Sequence, residues 1–313
     1  MEKEIITILM ATYNGEHYLQ EQLDSLEQQE CKRWKLIVGD DGSKDRTLEI
    51  LFKFQQECPN SVEIIKNDPP TGSAKANFMQ LLAKADTPYI MFCDQDDIWE
   101  PHKVQCTLSC MENLETDTDI PVLVHSDLTV LGENGIIAES FFQYQNLPAA
   151  TELSYLIIQN SVTGCTMMIN KSLQKMMFCV KDYKKIIMHD YWAVLIAYVY
   201  GKVGFLKEHT MYYRQHSTNS VGAKASGNPL YLMKRLMQGR KTYKEQMKES
   251  MMQISFFLET YAEKYPIKQE KQVLLEGYAL LMNRNKFYRM WFYSRHKVRK
   301  QGFIRVLMQY IWG

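Results

Sequence analysis

The chain opens on alternating apolar and polar blocks. Ile5-Ile6-Thr7-Ile8-Leu9-Met10-Ala11 is a near-continuous apolar run that stops at Thr12-Tyr13-Asn14-Gly15, the pattern of a strand buried on both faces followed by a turn. A helix follows, with Leu19, Leu23 and Leu26 on one face among Glu and Gln. Trp34-Lys35-Leu36-Ile37-Val38 predicts a second strand, ending in Gly39-Asp40-Asp41-Gly42-Ser43, and Asp45-Arg46-Thr47 then opens a helix that turns Leu48, Leu51 and Phe52 inward. Val62-Glu63-Ile64-Ile65 is a third strand, closed by Asn67-Asp68-Pro69-Pro70. Residues 72–85 read as a helix burying Phe78, Leu81 and Leu82, and Tyr89-Ile90-Met91-Phe92-Cys93 is a fourth strand. Strands alternating with helices predict an α/β architecture with a mostly parallel, doubly wound sheet.

Ligands of such sheets bind beyond the carboxyl ends of the strands. Three of the four strand ends carry polar clusters here: Thr12-Tyr13-Asn14, Asp40-Asp41 and Asp94-Gln95-Asp96-Asp97. Three carboxylates within four residues repel one another, which raises at least one pKa unless a cation sits among them. Oxygen donors so arranged suit a hard divalent ion. Asp is also a common cap and turn residue, so this stretch alone equally admits a solvated turn, with Asp97 capping the helix after Pro101. The same edge loaded with acids on several strands favours a metal or polar-ligand site.

Further along, Pro121–Leu131 predicts a strand with a tight turn at Gly132-Glu133-Asn134-Gly135. Asn160–Asn170 alternates small polar and apolar residues around Gly164, where a backbone can approach a ligand closely. An apolar helix covers Tyr191–Tyr200, with His189 and Asp190 at its N-terminal end, where the helix dipole favours a carboxylate. Val203–Leu206 and Met211–Tyr213 read as two short strands, the second leading into a polar loop that contains His216. Beyond about Ala223 the pattern changes to long amphipathic helices. Phe303, Ile304, Leu307 and Ile311 fall at helical spacing in the last of them.

Composition changes this picture in two places. Net charge is +1, which argues against bulk affinity for nucleic acid, but no acidic residue follows Glu276. The tail carries Arg284, Lys286, Arg289, Arg295, Lys297, Arg299, Lys300 and Arg305, which leaves 29 basic against 36 acidic residues before it, a net of −7. Such a tail is either a solvated helical surface or, given its Phe, Tyr and Trp content, a surface for anionic lipid. The seven cysteines are odd in number and lack CxxC spacing, so neither a disulfide framework nor a zinc site is indicated. The MEKE start is not a signal peptide, and the longest apolar run is about half of a membrane span. The expected location is cytoplasmic, with a peripheral place on the cytoplasmic membrane face as an option.

MATYNG, VGDDGSKDRT and FCDQDD followed by IWEPHK resemble the family 2 glycosyltransferases of the GT-A fold. The later HDYW and YRQHSTNSVG resemble the rhamnosyltransferase-like subgroup. The resemblance covers roughly residues 4–222, in the family's order and spacing. It implies a Rossmann-like catalytic domain over residues 1–222 and a helical, basic C-terminal extension over 223–313. It also implies that Thr12, Tyr13, Asn14 and Asp41 line the nucleoside pocket, with Gly72, Lys75 and Asn77 on the ribose and phosphate side. Asp94 and Asp96 match the family's DxD acids. Asp96 would ligate Mn2+ or Mg2+, Asp94 would bind ribose or the metal's water shell, and His216 would complete the metal shell or reach the leaving phosphate. Asp190 corresponds to the catalytic base, with Trp99, Gly164, Cys165, His189 and Trp192 on the acceptor side. His189 departs from the Glu found before the base in many relatives. QxxRW and membrane spans, typical of processive synthases, are absent.

The implied function is inverting, metal-dependent transfer of one sugar from dTDP-rhamnose or a UDP-hexose to a saccharide acceptor, lipid-linked in many relatives, in surface polysaccharide synthesis. A nucleotidyltransferase is the enzymatic rival, although its glycine-rich basic loop after the first strand is missing from TYNGEHYL. A non-catalytic, membrane-associated sugar-nucleotide-binding subunit is the other; Asp96 and Asp190 argue against it.

Overall fold

Four parallel strands form the heart of the protein, in the order β3-β2-β1-β4. A computed structural model of the chain describes residues 3–145, 147, 152–216 and 229–312. In chain order the first elements are β1 (Ile6–Thr12), α1 (Leu19–Glu27), β2 (Trp34–Asp40), α2 (Thr47–Glu57), β3 (Val62–Lys66), α3 (Ala74–Leu82), β4 (Tyr89–Asp94), β5 (Ile98–Trp99) and α4 (Lys103–Leu114). There follow β6 (Val122–Gly132), β7 (Gly135–Ala138), α5 (Phe141–Gln145), α6 (Leu153–Leu156), β8 (Met167–Asn170), α7 (Lys171–Met177), α8 (His189–Tyr200) and β9 (Lys202–Arg214). The chain ends in α9 (Pro229–Tyr261), α10 (Gln269–Leu280), α11 (Lys286–Arg295) and α12 (Phe303–Trp312).

The nine-stranded sheet continues from β4 through β8, β6, β9 and β5, with β7 paired to β6. It is therefore mixed: β8 runs antiparallel to both β4 and β6, and β5 antiparallel to β9. Register aligns Thr12 with Asp40, Ala11 with Asp94, and Asp40 with Lys66. One edge of the parallel core thus collects all four strand ends.

The apolar runs are buried as their continuity demands. Ile6, Ile8, Leu9 and Met10 of β1 and Ile90, Met91 and Phe92 of β4 are sequestered, as are Leu19, Leu23 and Leu26 of α1. In α2 the inward aromatic is Phe54, not the expected Phe52. Phe52 lies on the outer face, where the Lys66 ammonium sits 4.9 Å from its ring. The two short strands expected around residues 203–213 are one strand, β9, that pairs parallel with β6 and shifts register around Asp127. Exposed Lys207 and Glu208 interrupt its apolar pattern without ending it.

The described chain divides into two compact units. The first comprises residues 1–141, 162–184 and 188–214; the second comprises 142–161, 185–187 and 215–313. The division differs from a single cut after residue 222, because two internal segments group with the C-terminal helices. Ser217–Gly222, the end of the YRQHSTNSVG block, lies outside the described residues, as do the side chains of Phe303 and Ile304. In the second unit Phe257, Tyr261, Leu275, Tyr278, Leu281, Phe292 and Tyr293 form the interior. Gly277 is required there: a Cβ at that position would lie 2.4 Å from the Phe292 ring.

Candidate functional site

The loop after β1 is latched to the loop after β2 by hydrogen bonds. Asn14 takes a left-handed backbone (φ 47°) and its side-chain oxygen accepts the Lys44 amide at 2.9 Å. Asn tolerates this conformation better than most residues. The amides of Asn14, Gly15 and Glu16 donate to the Ser43 hydroxyl, the Thr47 hydroxyl and the Asp45 carboxylate. Thr12 is buried, its hydroxyl directed at Asp40 and the Gly39 carbonyl, while the Tyr13 ring stands in solvent at the sheet edge.

The two aspartates after β2 do different work. Asp40 is buried and closes its own turn, accepting from the amides of Gly42 and Ser43 and from the hydroxyls of Thr12 and Ser43. Asp41 accepts from the Thr71 amide at 2.6 Å, the Gly72 amide at 2.9 Å and the Asn67 side chain at 3.1 Å. Burial pushes the Asp41 carboxyl up, but the donors Thr71, Asn67 and Gly72 outweigh it and hold the pKa below the ordinary carboxylate range. Gly72 itself has φ 78°, which suits glycine in this turn. Asn77 is buried, donating to the Gly39 carbonyl at 2.7 Å and accepting from Asn67. Its side chain therefore holds β2 to α3. Lys75 is partly buried, with its pKa lowered by desolvation against the Asp182 charge.

At the end of β4 the four polar residues separate in role. Gln95 reciprocally bonds the Tyr13 backbone, accepting its amide at 2.8 Å and donating to its carbonyl at 3.1 Å. This explains Gly15, since a Cβ there would lie 2.4 Å from Gln95 Oε1. Asp97 is not the helix cap that its position suggested. It is fully buried, accepts the Arg214 amide at 3.2 Å, and its Oδ2 has no partner among the described residues. The residue preceding α4 is His102, whose side chain makes no cap bond; the first-turn amide of Val104 donates instead to the Gln29 side chain at 3.0 Å. Burial, then the charges of Asp94 and Asp96, drives the Asp97 pKa well above the ordinary range.

Asp94 is half-buried, with its pKa raised to about 7 by burial first, then by the charges of Asp96 and Asp190. The last of these is the smallest, but it links two distant parts of the chain. Asp190 lies in the first turn of α8, far along the chain, yet its charge is felt at the end of β4. A carboxylate there is also favoured by the helix dipole.

Arg214, at the end of β9, is a residue that sequence reasoning missed. Its guanidinium donates to the Asp96 carbonyl at 3.0 Å, pairs with Glu21 at 2.6 Å and stacks over the Tyr18 ring at 4.7 Å. Lys103 was missed too. It is fully buried, donating to the Thr210 hydroxyl at 3.1 Å above the Trp99 ring, and burial lowers its pKa to about 8.

Several residues expected on the acceptor side need correction. Trp99 is 2% exposed and Trp192 is 0% exposed, so both belong to the core and present no surface to a sugar. Gly164 and Cys165 are buried as well. The Cys165 thiol lies against Asp94 and Asp97, and burial raises its pKa well above the ordinary range. His189 is buried between the rings of Phe78 and Phe92, with centroids 4.5 and 5.1 Å away. Burial, then the Lys75 charge, pushes its pKa down to about 3, so the imidazole is neutral. His216 follows β9 directly and groups with the second unit.

Asp94, Asp97 and Cys165 have ligand atoms within 4.8 Å of one another. As a set they do not suit a hard cation, because a thiol is a soft donor. Asp94 and Asp96 do suit one. They supply carboxylate oxygens at the open sheet edge, and like charge around Asp94 is the condition that a divalent ion relieves.

The sequence model described as Glycosyl transferase family 2 matches residues 7–177. A dTDP-rhamnosyl transferase, RfbG of Shigella flexneri, is 30% identical over 235 residues, covering 71% of this chain and 76% of that protein. An Escherichia coli UDP-Glc:alpha-D-GlcNAc-diphosphoundecaprenol beta-1,3-glucosyltransferase, WfgD, is 26% identical over 175 residues, covering 55% of this chain and 63% of its own. Among solved structures, Staphylococcus aureus TarS 1-349 in complex with UDP-GlcNAc superposes with a TM-score of 0.59 at 17% identity, over 93% of this chain and 87% of that one. The mannosyltransferase PcManGT of Pyrobaculum calidifontis, with GDP-Man and Mn2+, gives 0.53 at 14% identity, over 100% and 88%. The shared architecture is the GT-A fold, here with additional C-terminal helices.

Proposed function

The chain belongs to glycosyl transferase family 2, and from that premise we propose that it transfers a single sugar, with inversion, from dTDP-rhamnose or a UDP-hexose to a lipid-linked saccharide in surface polysaccharide synthesis. The observation that carries this reading is the electrostatic meeting of Asp94, Asp96 and Asp190 at one strand end. Relatives named as dTDP-rhamnosyl and UDP-glucosyl transferases support the donor class, and the diphosphoundecaprenol acceptor in one name supports the lipid-linked acceptor.

Asp96 and Asp94 are the residues that would hold Mn2+ or Mg2+. When bound, the ion neutralises charge on the leaving nucleoside diphosphate. Asp41 and the β1 loop form the nucleoside side, with Tyr13 as its exposed ring, and Asp41 held ionised accepts an N–H from the base. Gly72 and Lys75 stand on the ribose and phosphate side, and Asn77 acts by fixing the loop that carries them. Asp190 takes the proton of the acceptor hydroxyl as the sugar is attacked from the opposite face. His189, neutral and packed on aromatic rings, keeps α8 in place behind that base. The protein works from the cytoplasmic side of the membrane.

Asp190→Asn tests the assignment. Loss of a general base lowers turnover by roughly 10²–10⁴-fold, while thermal stabilisation by UDP- or dTDP-sugar with Mn2+ stays as in the parent. Retained transfer by this variant removes Asp190 as the base.

A further inference from the structure

The C-terminal helices expose aromatic rings on an all-cationic background. Helix α11 is anchored on one side, where Phe292 and Tyr293 are buried in the second unit. On the other side Phe287 is 83% exposed and Trp291 54% exposed, and Tyr288 is exposed beside them with its ring centroid 5.3 Å from Trp291. Positions 287, 288, 291 and 295 share one helical face by their spacing, and Arg284 lies in extended backbone just before the helix. Arg284 lies over the Tyr288 ring at 5.1 Å, so arginines bracket the aromatic stripe at 284 and 295. Lys286 donates to the Ile311 carbonyl at 2.6 Å, which brings the last turn of α12 to the start of α11. Leu307 and Ile311 of α12 are exposed in their turn.

The tail's basic residues are not equivalent. Arg289 donates to the carbonyls of Leu281, Met282 and Arg284, Arg299 to the Tyr155 hydroxyl, and Arg305 to the Gln145 side chain. Lys300 is buried over the Tyr243 ring. These four knit the second unit together. Arg284, Lys286, Arg295 and Lys297 remain exposed, and no carboxylate side chain follows Glu276 to neutralise them.

We propose that the face of α11 bearing Phe287, Tyr288, Trp291 and Arg295, with Arg284 over the Tyr288 ring and the adjoining end of α12, docks on an anionic lipid surface. Rings that stand out from a helix pinned on its opposite side enter the headgroup boundary without reordering the protein. The cations beside them meet lipid phosphates, an attraction that falls off within a Debye length. The inference deepens the lipid-linked acceptor reading by naming the surface that keeps the enzyme where such acceptors lie.

The test uses the full chain and no nucleotide sugar, so its outcome is independent of the transferase assignment. Co-sedimentation is measured with vesicles of phosphatidylglycerol and phosphatidylcholine, and with phosphatidylcholine alone. Binding is expected to the anionic vesicles only, weakening with salt. Phe287→Ala with Trp291→Ala weakens it about tenfold through lost apolar insertion. Arg284→Gln, Lys286→Gln and Arg295→Gln each weaken it about fivefold. All five side chains are exposed, so unchanged circular-dichroism melting confirms folding. The proposal is overturned by no binding to anionic vesicles, or by binding that both sets of variants leave intact. It is equally overturned by concentration-dependent self-association that Phe287→Ala with Trp291→Ala abolishes while vesicles bind nothing.

Discussion

Among the described residues the Arg214 guanidinium makes three contacts whose energies can be separated by experiment. The bond from its guanidinium to the Asp96 carbonyl is charge-assisted and partly buried, a type worth about 1.5–3 kcal/mol. Glu21 is 57% exposed, which limits that ion pair to about 0–1 kcal/mol. The stack on Tyr18 adds about 0.5–1 kcal/mol. Arg214→Ala should therefore cost about 2–5 kcal/mol, most of it from the orphaned Asp96 carbonyl, since the backbone bond from residue 214 to Asp97 survives. Glu21→Gln should cost under about 1 kcal/mol. Arg214→Lys, which keeps the charge but loses the planar fork, should recover less than half of the alanine loss. Urea unfolding of the two single variants and the double variant gives the cycle. If Glu21→Gln alone matches Arg214→Ala, and the coupling absorbs the whole loss, then the surface ion pair holds this loop and the carbonyl clasp does not.

The remaining predictions concern the strand ends. Asp94 has a folded pKa of about 7 against an ordinary 3.8, so the folded state holds the extra proton between those values. Its contribution makes the metal-free protein less stable as pH rises from about 4 to 7, with a slope approaching about 1.4 kcal/mol per pH unit. In Asp94→Asn this part of the slope disappears from the pH–stability curve, and Mn2+ stabilises the variant less than the parent above pH 7. An unchanged slope would show that the crowding of Asp94 does not govern stability. Asn77→Ala leaves the buried Gly39 carbonyl without its amide donor and should cost about 1–3 kcal/mol in urea unfolding. A loss near zero would mean that solvent replaces that donor.

The parallel core was legible because β1, β2 and β4 are largely apolar runs that end in a sharp polar break, and β3, a half-exposed edge strand, is closed by Asn67-Asp68-Pro69-Pro70. The strands added after β4 were less so. β9 carries exposed Lys207 and Glu208 midway, where the register with β6 shifts, and an apolar pattern cannot distinguish that from a chain break. The candidate site was legible as a set of loops but not as a set of surfaces. Trp99 and Trp192 sit within the right motifs, yet whether a ring faces the cleft or the core depends on strand pairing, here Trp99 opposite Met211. Asp97 followed the same logic: pairing of β5 with β9 draws it inside against Arg214. Asp40, Gln95 and Arg214 carry the loop scaffold through partners on other elements. Only the doubled Asp and the mid-motif Gln left any trace in the linear pattern.

The clasp at Arg214 also sets an order in time. The ribosome delivers β1 to β4, with every acid at their four ends, long before residue 214 leaves the exit tunnel. Until β9 lies down, the Asp96 carbonyl lacks its guanidinium and Asp97 lacks its backbone donor. The turn after β4 is therefore completed by the last strand in chain order, although four strands of the sheet precede it by more than a hundred residues.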